Sequence, residues 1–177
     1  PKLAVMSHRN MLSMAHNLGA VDEKKGSDEF VSFLPLAWMG EQMMAVASAL
    51  LFGFTVNFPE EPDTVQENIR EIGPHLIFSP PRVWENMAAM VQVKIMETTR
   101  IKRFLYNWLQ PIGLKYVDTI FAGKKPGLWQ RMSYFFAELF LFRALRDRLG
   151  FSKMRSASTG GAALGPDTFR FFHALGV

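Results

Sequence analysis

The feature that most constrains the fold of this 177-residue chain is an alternation of short apolar runs with helical segments across residues 1–80. The predicted strands cover residues 30–34, 55–58 and 76–78. These runs are mostly continuous in apolar residues, which is typical of strands covered on both faces. Helical segments separate successive strands, as in the strand–helix–strand units of parallel sheets. The pattern therefore predicts an α/β fold with a parallel sheet.

The helices between these strands have recognisable start and stop signals. They are predicted over residues 8–18, 40–51 and 64–72. Ser7 is a suitable N-cap for the first helix, and Gly19 is expected to stop it. Thr64 is expected to cap the third helix, with Glu67 three residues later as its capping-box partner.

Residues 81–150 change character and are predicted to be mostly helical. Apolar residues recur at helical spacing over 90–109 with basic residues among them, and Pro111 is expected to kink or end this helix. A loop at 123–127 precedes a second long helix that ends at Gly150. The apolar stripe of the second helix consists of Leu128, Met132, Phe135, Phe136 and Leu139.

The last segment returns to the first pattern, with a strand over 154–158, a glycine-rich turn and a helix over 166–175. We therefore divide the chain into a β/α layer (1–80), a helical insertion (81–150) and a closing strand, turn and helix (151–177). Because 177 residues suit one domain with a buried core, these segments are expected to form a single domain.

Composition excludes several classes of protein. The chain has no cysteine, so it can form neither a disulfide nor a thiolate metal site, which fits a cytoplasmic protein. The four histidines lack metal-ligand spacing, and no metal site is predicted. A net charge of +4 does not call for nucleic acid. The longest uncharged run, 42–59, is shorter than a spanning helix.

Three segments carry a resemblance to a known family. Residues 1–10 (Pro-Lys-Leu-Ala-Val-Met-Ser-His-Arg-Asn) resemble the end of a phosphate loop, Ser-Gly-Thr-Thr-Gly-x-Pro-Lys-Gly, and the Ser-His-x-Asn that follows it, with Leu3 in place of a glycine. Residues 34–42 resemble a Leu-Pro-Leu-x-His motif, with Trp38 at the His position. Residues 158–164 (Ser-Thr-Gly-Gly-Ala-Ala-Leu) resemble a Ser-Gly-Gly-Ala-Pro-Leu turn.

A fourth segment, 77–85, resembles the Val-Pro-Arg-Val-(Trp/Tyr)-Glu stretch of long-chain acyl-CoA synthetases. The order and spacing of the four segments identify the chain as a member of the adenylate-forming, AMP-binding superfamily, and of its long-chain fatty-acid–CoA ligase branch. The resemblance covers the whole chain. It implies an internal fragment of the N-terminal domain, with a partial Rossmann-like parallel sheet flanked by helices and a long helical insertion.

The resemblance also implies the chemistry of the site. The intact enzyme would use ATP, Mg²⁺ and coenzyme A to activate a long-chain fatty acid. Lys2, Gly160, Gly161 and Ala162 would lie against the nucleotide, and Trp38 would gate the acyl tunnel. The metal ligand and the catalytic residues of the family fall outside this chain, which by itself is expected to be inactive.

Other interpretations stay open at this stage. The intact enzyme could be an acyl-AMP ligase that loads a carrier protein, and the chain could be a non-catalytic membrane-surface or binding module. Trp38 taken alone fits a core or interface aromatic equally well. The basic residues around Phe104 and Trp108 fit a solvated helix face, and the alternative is that this block makes peripheral contact with the inner face of an anionic membrane. Exposed sheet edges would allow a homodimer.

Overall fold

A computed structural model of the chain describes residues 5–177. Within these residues, four strands form one parallel sheet in the order β2-β1-β3-β4. The strands are β1 (Glu29–Val31), β2 (Thr55–Asn57), β3 (Leu76–Ser79) and β4 (Ser156–Thr159). Phe30 is in register with Val56 on one side and with Leu76 on the other. The predicted α/β fold with a parallel sheet and flanking helices is confirmed.

The helices are longer and more continuous than the strands. They are α1 (His8–Val21), α2 (Met39–Glu41, the π-helical Gln42–Ser48 and Ala49–Phe52), a 3₁₀ turn (Pro62–Thr64), α3 (Val65–Ile72), α4 (Pro81–Glu97), α5 (Arg100–Phe121), α6 (Leu128–Ala137, the π-helical Glu138–Phe142 and Arg143–Leu149) and α7 (Pro166–Ala174). Of the described helices, none is long and apolar enough to cross a membrane.

The chain divides into two compact units. The sheet unit comprises residues 1–78 and 153–158, and the helical unit comprises residues 79–152 and 159–177. The helical unit therefore interrupts the sheet unit in sequence. The predicted division at residues 80 and 150 describes segments along the chain and stays a prediction.

The core of the sheet unit forms where α2 covers the sheet. Phe30 is fully buried, and its ring meets that of Phe54 edge-on at 6.3 Å between centroids. Met43 and Met44 of α2 and Leu76 of β3 complete the cluster. Unbranched, flexible Met side chains fill irregular gaps, which suits the π-helical segment from which these two project.

The helical unit packs around α5. Gly113 of α5 lies against the buried ring of Phe142 and the methyl group of Ala174, so that no side chain fits at this position. The rings of Tyr116 and Tyr134 stack at 4.1 Å between centroids, which joins α5 to α6. A glycine at the crossing lets the backbones approach closely, and the unit is held together by this packing.

Several helix boundaries differ from the predictions. α1 continues through Gly19 to Val21, because the Cα of Gly19 packs against the ring of Phe52 and the glycine serves packing rather than termination. The predicted Thr64–Glu67 capping box is wrong. Thr64 instead forms a capping box with Glu61 around the 3₁₀ turn. The Thr64 hydroxyl accepts from the backbone N–H of Glu61, and the Glu61 side chain accepts from the backbone N–H of Thr64.

Pro111 does not end α5, which runs continuously from Arg100 to Phe121. The predicted helix end at Gly150 is confirmed, and Gly53 and Gly73 end two other helices in the same way, since each of these glycines has a positive φ at a helix C-terminus.

Candidate functional site

The loop that carries Trp38 leaves the sheet at the point where the strand order reverses. β1 lies between β2 and β3, so the chain crosses to one side after β1 and to the other after β2. In open α/β sheets, ligands bind beyond the carboxyl ends of strands at such a reversal. The loop after β1 is therefore placed where a ligand site is expected.

Trp38 is half-exposed on this loop and is the N-cap residue of α2. Its N–H donates to the carbonyl of Pro35 at 2.8 Å, and its own carbonyl accepts from Glu41 N at 3.1 Å. The side-chain amide of Gln42 donates to the carbonyl of Leu36 at 2.6 Å. The backbone of the loop is thus braced against the first turn of α2, while the indole ring remains accessible.

Gly40 allows α2 to begin close to the sheet. A side chain at this position would overlap the ring of Phe78. The helix then widens into the π-helical segment Gln42–Ser48, a conformation that is rare and occurs frequently at functional sites. The close approach at Gly40 brings the start of α2 against Phe78 of β3.

Glu41 is buried beneath this loop, which the sequence did not reveal. Its residue is 1% exposed, and its carboxylate accepts from the hydroxyl of Ser32. Burial raises the pKa of Glu41, and hydrogen bonds from the Ser32 hydroxyl and the Leu34 backbone oppose the shift. Oε2 has no hydrogen-bond partner among the described residues. The only sequence feature that could have drawn attention to Glu41 is its position in the first turn of a helix, three residues after Trp38.

Replacing Glu41 with Gln is expected to change the pH dependence of stability. Because the folded state binds this proton more tightly than the unfolded state, stability should fall as the pH rises from the ordinary value of 4.5 through the raised pKa. The neutral Glu41→Gln variant should lose this part of the decline. Urea unfolding at pH 5 and pH 8 measures it, with the exposed Glu67→Gln as control. Equal pH dependence in wild type and Glu41→Gln would contradict the expectation.

The glycine turn lies in the helical unit, between the end of β4 and the start of α7. Gly161 has a φ of +88°, which L residues rarely adopt, and a Cβ placed there would meet no other atom. Ala162 and Ala163 are exposed, and Gly160 is half-exposed. The backbone of this turn is therefore accessible to a ligand, and glycine is needed for its conformation.

The start of α7 has residues that suit a helix N-terminus. Pro166 occupies the first turn and Asp167 is the acidic residue near the positive end of the helix. Gly165 immediately precedes the helix. A Cβ placed on Gly165 would lie 3.8 Å from Oε1 of Glu85, which is ordinary van der Waals contact. The turn thus joins a strand to a helix N-terminus, which is an arrangement that suits an anionic group.

The predicted site residues fall into three groups. Gly160, Gly161 and Ala162 share the turn, and Trp38 lies on the loop of the other unit. Lys2 lies outside the described residues. Within residues 5–177, no group of acidic and histidine side chains is arranged to hold a metal. The nucleotide-binding and gating roles of these residues stay predictions.

Ser7 and His173 have structural surroundings. Ser7 caps α1 in a reciprocal capping box with Asn10, as its position predicted. His173 packs against the rings of Phe121 and Phe169, at 5.2 and 4.3 Å between centroids, and burial lowers its pKa. Ser7 therefore caps a helix, and His173 takes part in aromatic packing.

Comparison with known proteins gives the family. A family model described as AMP-binding enzyme matches residues 1–177. The chain therefore belongs to the AMP-binding enzyme family, as its motifs indicated.

Individual relatives match over the whole chain at low identity. The chain is 28% identical over 181 residues to fadD11 of Mycobacterium tuberculosis, which is named a fatty-acid–CoA ligase, and it covers 31% of that protein. It is 25% identical to the rat long-chain-fatty-acid–CoA ligase ACSBG2 and covers 27% of it. The Drosophila melanogaster long-chain-fatty-acid–CoA ligase heimdall is also 25% identical, with 27% covered. The chain thus spans about a third or less of these relatives. No solved structure matches it.

Proposed function

We propose that this chain is part of the N-terminal domain of a long-chain fatty-acid–CoA ligase that forms an acyl-adenylate from ATP and transfers the acyl group to coenzyme A. The observation that carries the proposal is the open glycine turn after β4 in a chain of the AMP-binding enzyme family. Relatives named as fatty-acid–CoA ligases support the substrate class. The proposed location is the cytoplasm, with peripheral contact to the inner face of the membrane.

The reaction requires two kinds of surroundings. A fatty carboxylate attacks the α-phosphorus of ATP and releases pyrophosphate, so fixed donors and a cation must offset the negative charge. The thiol of coenzyme A then attacks the acyl carbon and releases AMP. Mg²⁺ would supply the cation, and no group of acidic or histidine side chains within residues 5–177 is arranged to hold it. Lys2 would face the phosphates in the intact enzyme.

The chain's own residues contribute surfaces rather than catalytic groups. The backbone at Gly160, Gly161 and Ala162 would lie against the adenylate, since no side chain of a glycine blocks the approach. Trp38 would close or open the path of the acyl chain, because its ring is accessible on a braced loop. Each buried methylene of the substrate contributes about 0.8 kcal/mol, so an apolar acyl path favours long chains.

The test uses the full-length protein with palmitate, ATP, Mg²⁺ and coenzyme A. Gly161→Val is expected to lower kcat/KM for ATP about tenfold or more, because it fills the space that the ligand would occupy and strains the backbone. Gly123→Val is the matched control, since Gly123 also has positive φ and open space but lies on the α5–α6 loop. Equal losses in both variants would contradict the assigned role.

Trp38 is tested by its effect on chain-length preference. Trp38→Ala is expected to change KM for palmitate about tenfold relative to octanoate, with kcat for octanoate retained, since an exposed indole contributes little to stability. Trp108→Ala, another exposed tryptophan, is the control. An unchanged preference between palmitate and octanoate in Trp38→Ala would contradict the proposed gating role of Trp38.

The chain alone should bind ATP weakly or not at all, because its share of the site lacks most phosphate and ribose ligands. Isothermal titration of the chain with Mg²⁺-ATP measures this, and micromolar affinity would contradict it.

Two alternative functions have distinct outcomes in the full-length protein. Release of AMP that depends on an acyl carrier protein rather than coenzyme A identifies a carrier-loading ligase. Absence of any adenylation identifies a non-catalytic binding module.

A homodimer through the edge strands β2 and β4 is a further part of the proposal. Sedimentation of the full-length protein tests it.

A further inference from the structure

The outer face of α6 is apolar although it is exposed. We name as the outer stripe the exposed apolar side chains of this helix: Leu128, Trp129, Met132, Phe135, Phe136, Leu139 and Phe140. Their exposed fractions run from 44% at Met132 to 80% at Trp129. The buried side of the helix is formed by Ala137, Leu141 and Phe142. An amphipathic stripe ordinarily faces the core, so a face this apolar indicates a binding surface.

The aromatic residues of the outer stripe form a connected group. The rings of Phe135 and Phe136 are 6.0 Å apart, and those of Phe136 and Phe140 are stacked at 6.5 Å between centroids. The π-helical segment Glu138–Phe142 begins within the stripe and adds a residue to the turn. Phe140 is thereby exposed beside Phe136 while Leu141 and Phe142 are buried, which widens the apolar face.

The charges around the outer stripe are almost all positive. Lys124, Lys125, Arg131 and Arg143 are exposed within residues 122–145. The acidic residue of this segment is Glu138, which is ion-paired with Arg146. By sequence the whole helical unit has thirteen Lys and Arg against six Asp and Glu, and the sheet unit has seven against ten. The positive charge of the chain is therefore concentrated in the helical unit.

The first half of α5 repeats this combination. Ile101, Phe104 and Trp108 are exposed at 80%, 69% and 61%. Arg100, Lys102 and Arg103 lie among them, and residues 98–117 contain no Asp or Glu. Two successive helices thus present exposed aromatic side chains surrounded by basic ones.

We infer that α6 docks on an anionic lipid surface through the outer stripe, with the helix lying in the interface. Helices that bind in this way combine a Trp, Phe and Leu face with Lys and Arg beside it. The aromatic rings would enter the headgroup region, and the basic residues would bind anionic headgroups. A second copy of the chain is disfavoured as occupant, because two stripes with the same positive surroundings would repel each other. This inference rests on the membrane contact proposed above, for which it gives the surface, and it does not depend on the ligase activity.

The experiment is sedimentation of the full-length protein with vesicles of phosphatidylcholine alone and with 30% phosphatidylglycerol. Binding to the anionic vesicles is expected, with little to the neutral ones. Lys124→Gln/Lys125→Gln should weaken it about 30-fold, since each positive charge near the surface contributes about 1 kcal/mol. Trp129→Ser should weaken it about fivefold or more and abolish the blue shift of tryptophan emission on binding.

Matched controls separate a docking surface from general electrostatics. Arg9→Gln/Arg70→Gln removes the same charge from exposed positions of the sheet unit, and Leu50→Ser removes an exposed apolar side chain there. Both controls should bind like wild type. Equal weakening by the two charge variants overturns the inference. A lack of binding to anionic vesicles also overturns the inference, because it would show that other parts of the full-length protein cover the outer stripe. A dimer that Trp129→Ser dissociates overturns it as well, because the partner on the stripe would then be a second copy.

Discussion

Replacing Trp84 with Ala is expected to lower the free energy of unfolding by about 4 kcal/mol. Trp84 lies on α4 and is 3% exposed. Its ring meets Phe172 of α7 at 4.9 Å between centroids and Phe151 at 5.9 Å, so three parts of the helical unit meet at this side chain. Truncation would leave a large cavity that aromatic rings on both sides cannot fill. Urea unfolding followed by circular dichroism measures the change.

The same substitution at an exposed tryptophan is the control. Trp129 is 80% exposed, and Trp129→Ala should change stability by less than about 0.5 kcal/mol. A further variant resolves the contribution of the indole N–H, which has no hydrogen-bond partner among residues 5–177. Trp84→Phe removes this buried donor and should cost much less than Trp84→Ala. Equal costs for Trp84→Ala and Trp129→Ala would show that Trp84 is not a packing centre.

Replacing Arg155 with Met is expected to lower the free energy of unfolding by about 3 kcal/mol. Arg155 is ion-paired with Asp28, whose side chain is only 3% exposed, and it also donates to the carbonyl of Glu23 at 2.7 Å. Without the guanidinium, the buried carboxylate would keep the backbone N–H of Lys25, at 2.7 Å, but would lose its charge partner. Urea unfolding of the chain measures this loss.

Two further variants test whether the cost arises from an uncompensated charge. Asp28→Asn/Arg155→Met removes both charges and should be more stable than Arg155→Met alone, because the remaining amide is cheaper to bury than a carboxylate. Arg170→Met breaks the exposed pair with Asp118 and should leave stability almost unchanged. If the double variant were as unstable as Arg155→Met, the packing of the arginine stem rather than its charge would be responsible.

The sequence predicted the sheet better than the helix ends. Strands β1 to β3 and their parallel arrangement follow from apolar runs separated by helices, a signal that depends on burial alone. Gly19 illustrates where prediction failed. Glycine favours helix termination locally, but here a ring from another helix requires the absence of a side chain. Such a contact depends on tertiary packing and has no local signal in the sequence.

The candidate site was predicted in part. The glycine turn and the position of Trp38 between a strand and a helix followed from the sequence, since the paired glycines and the Leu-Pro-Leu segment before Trp38 are visible there. The exposure of the indole ring was not predicted. Glu41 could not be predicted, because a glutamate in the first turn of a helix ordinarily faces solvent. Its burial depends on the hydroxyl of Ser32, nine residues earlier, which only the folded chain places against the carboxylate.

The interruption of the sheet unit by residues 79–152 has a consequence for the order of folding. Two hydrogen-bonded pairs join the strand β4 region to the early part of the sheet unit. Arg155 and Asp28 are 127 positions apart in the sequence, and Ser156 and Asp22 are 134 positions apart. During synthesis on the ribosome, the early strands emerge and must wait, with one edge open, until the whole helical segment has followed. Contacts of such long sequence separation slow folding, and an unpaired edge promotes aggregation in the interval. A nascent chain halted near residue 150 would therefore be the form in greatest need of a chaperone.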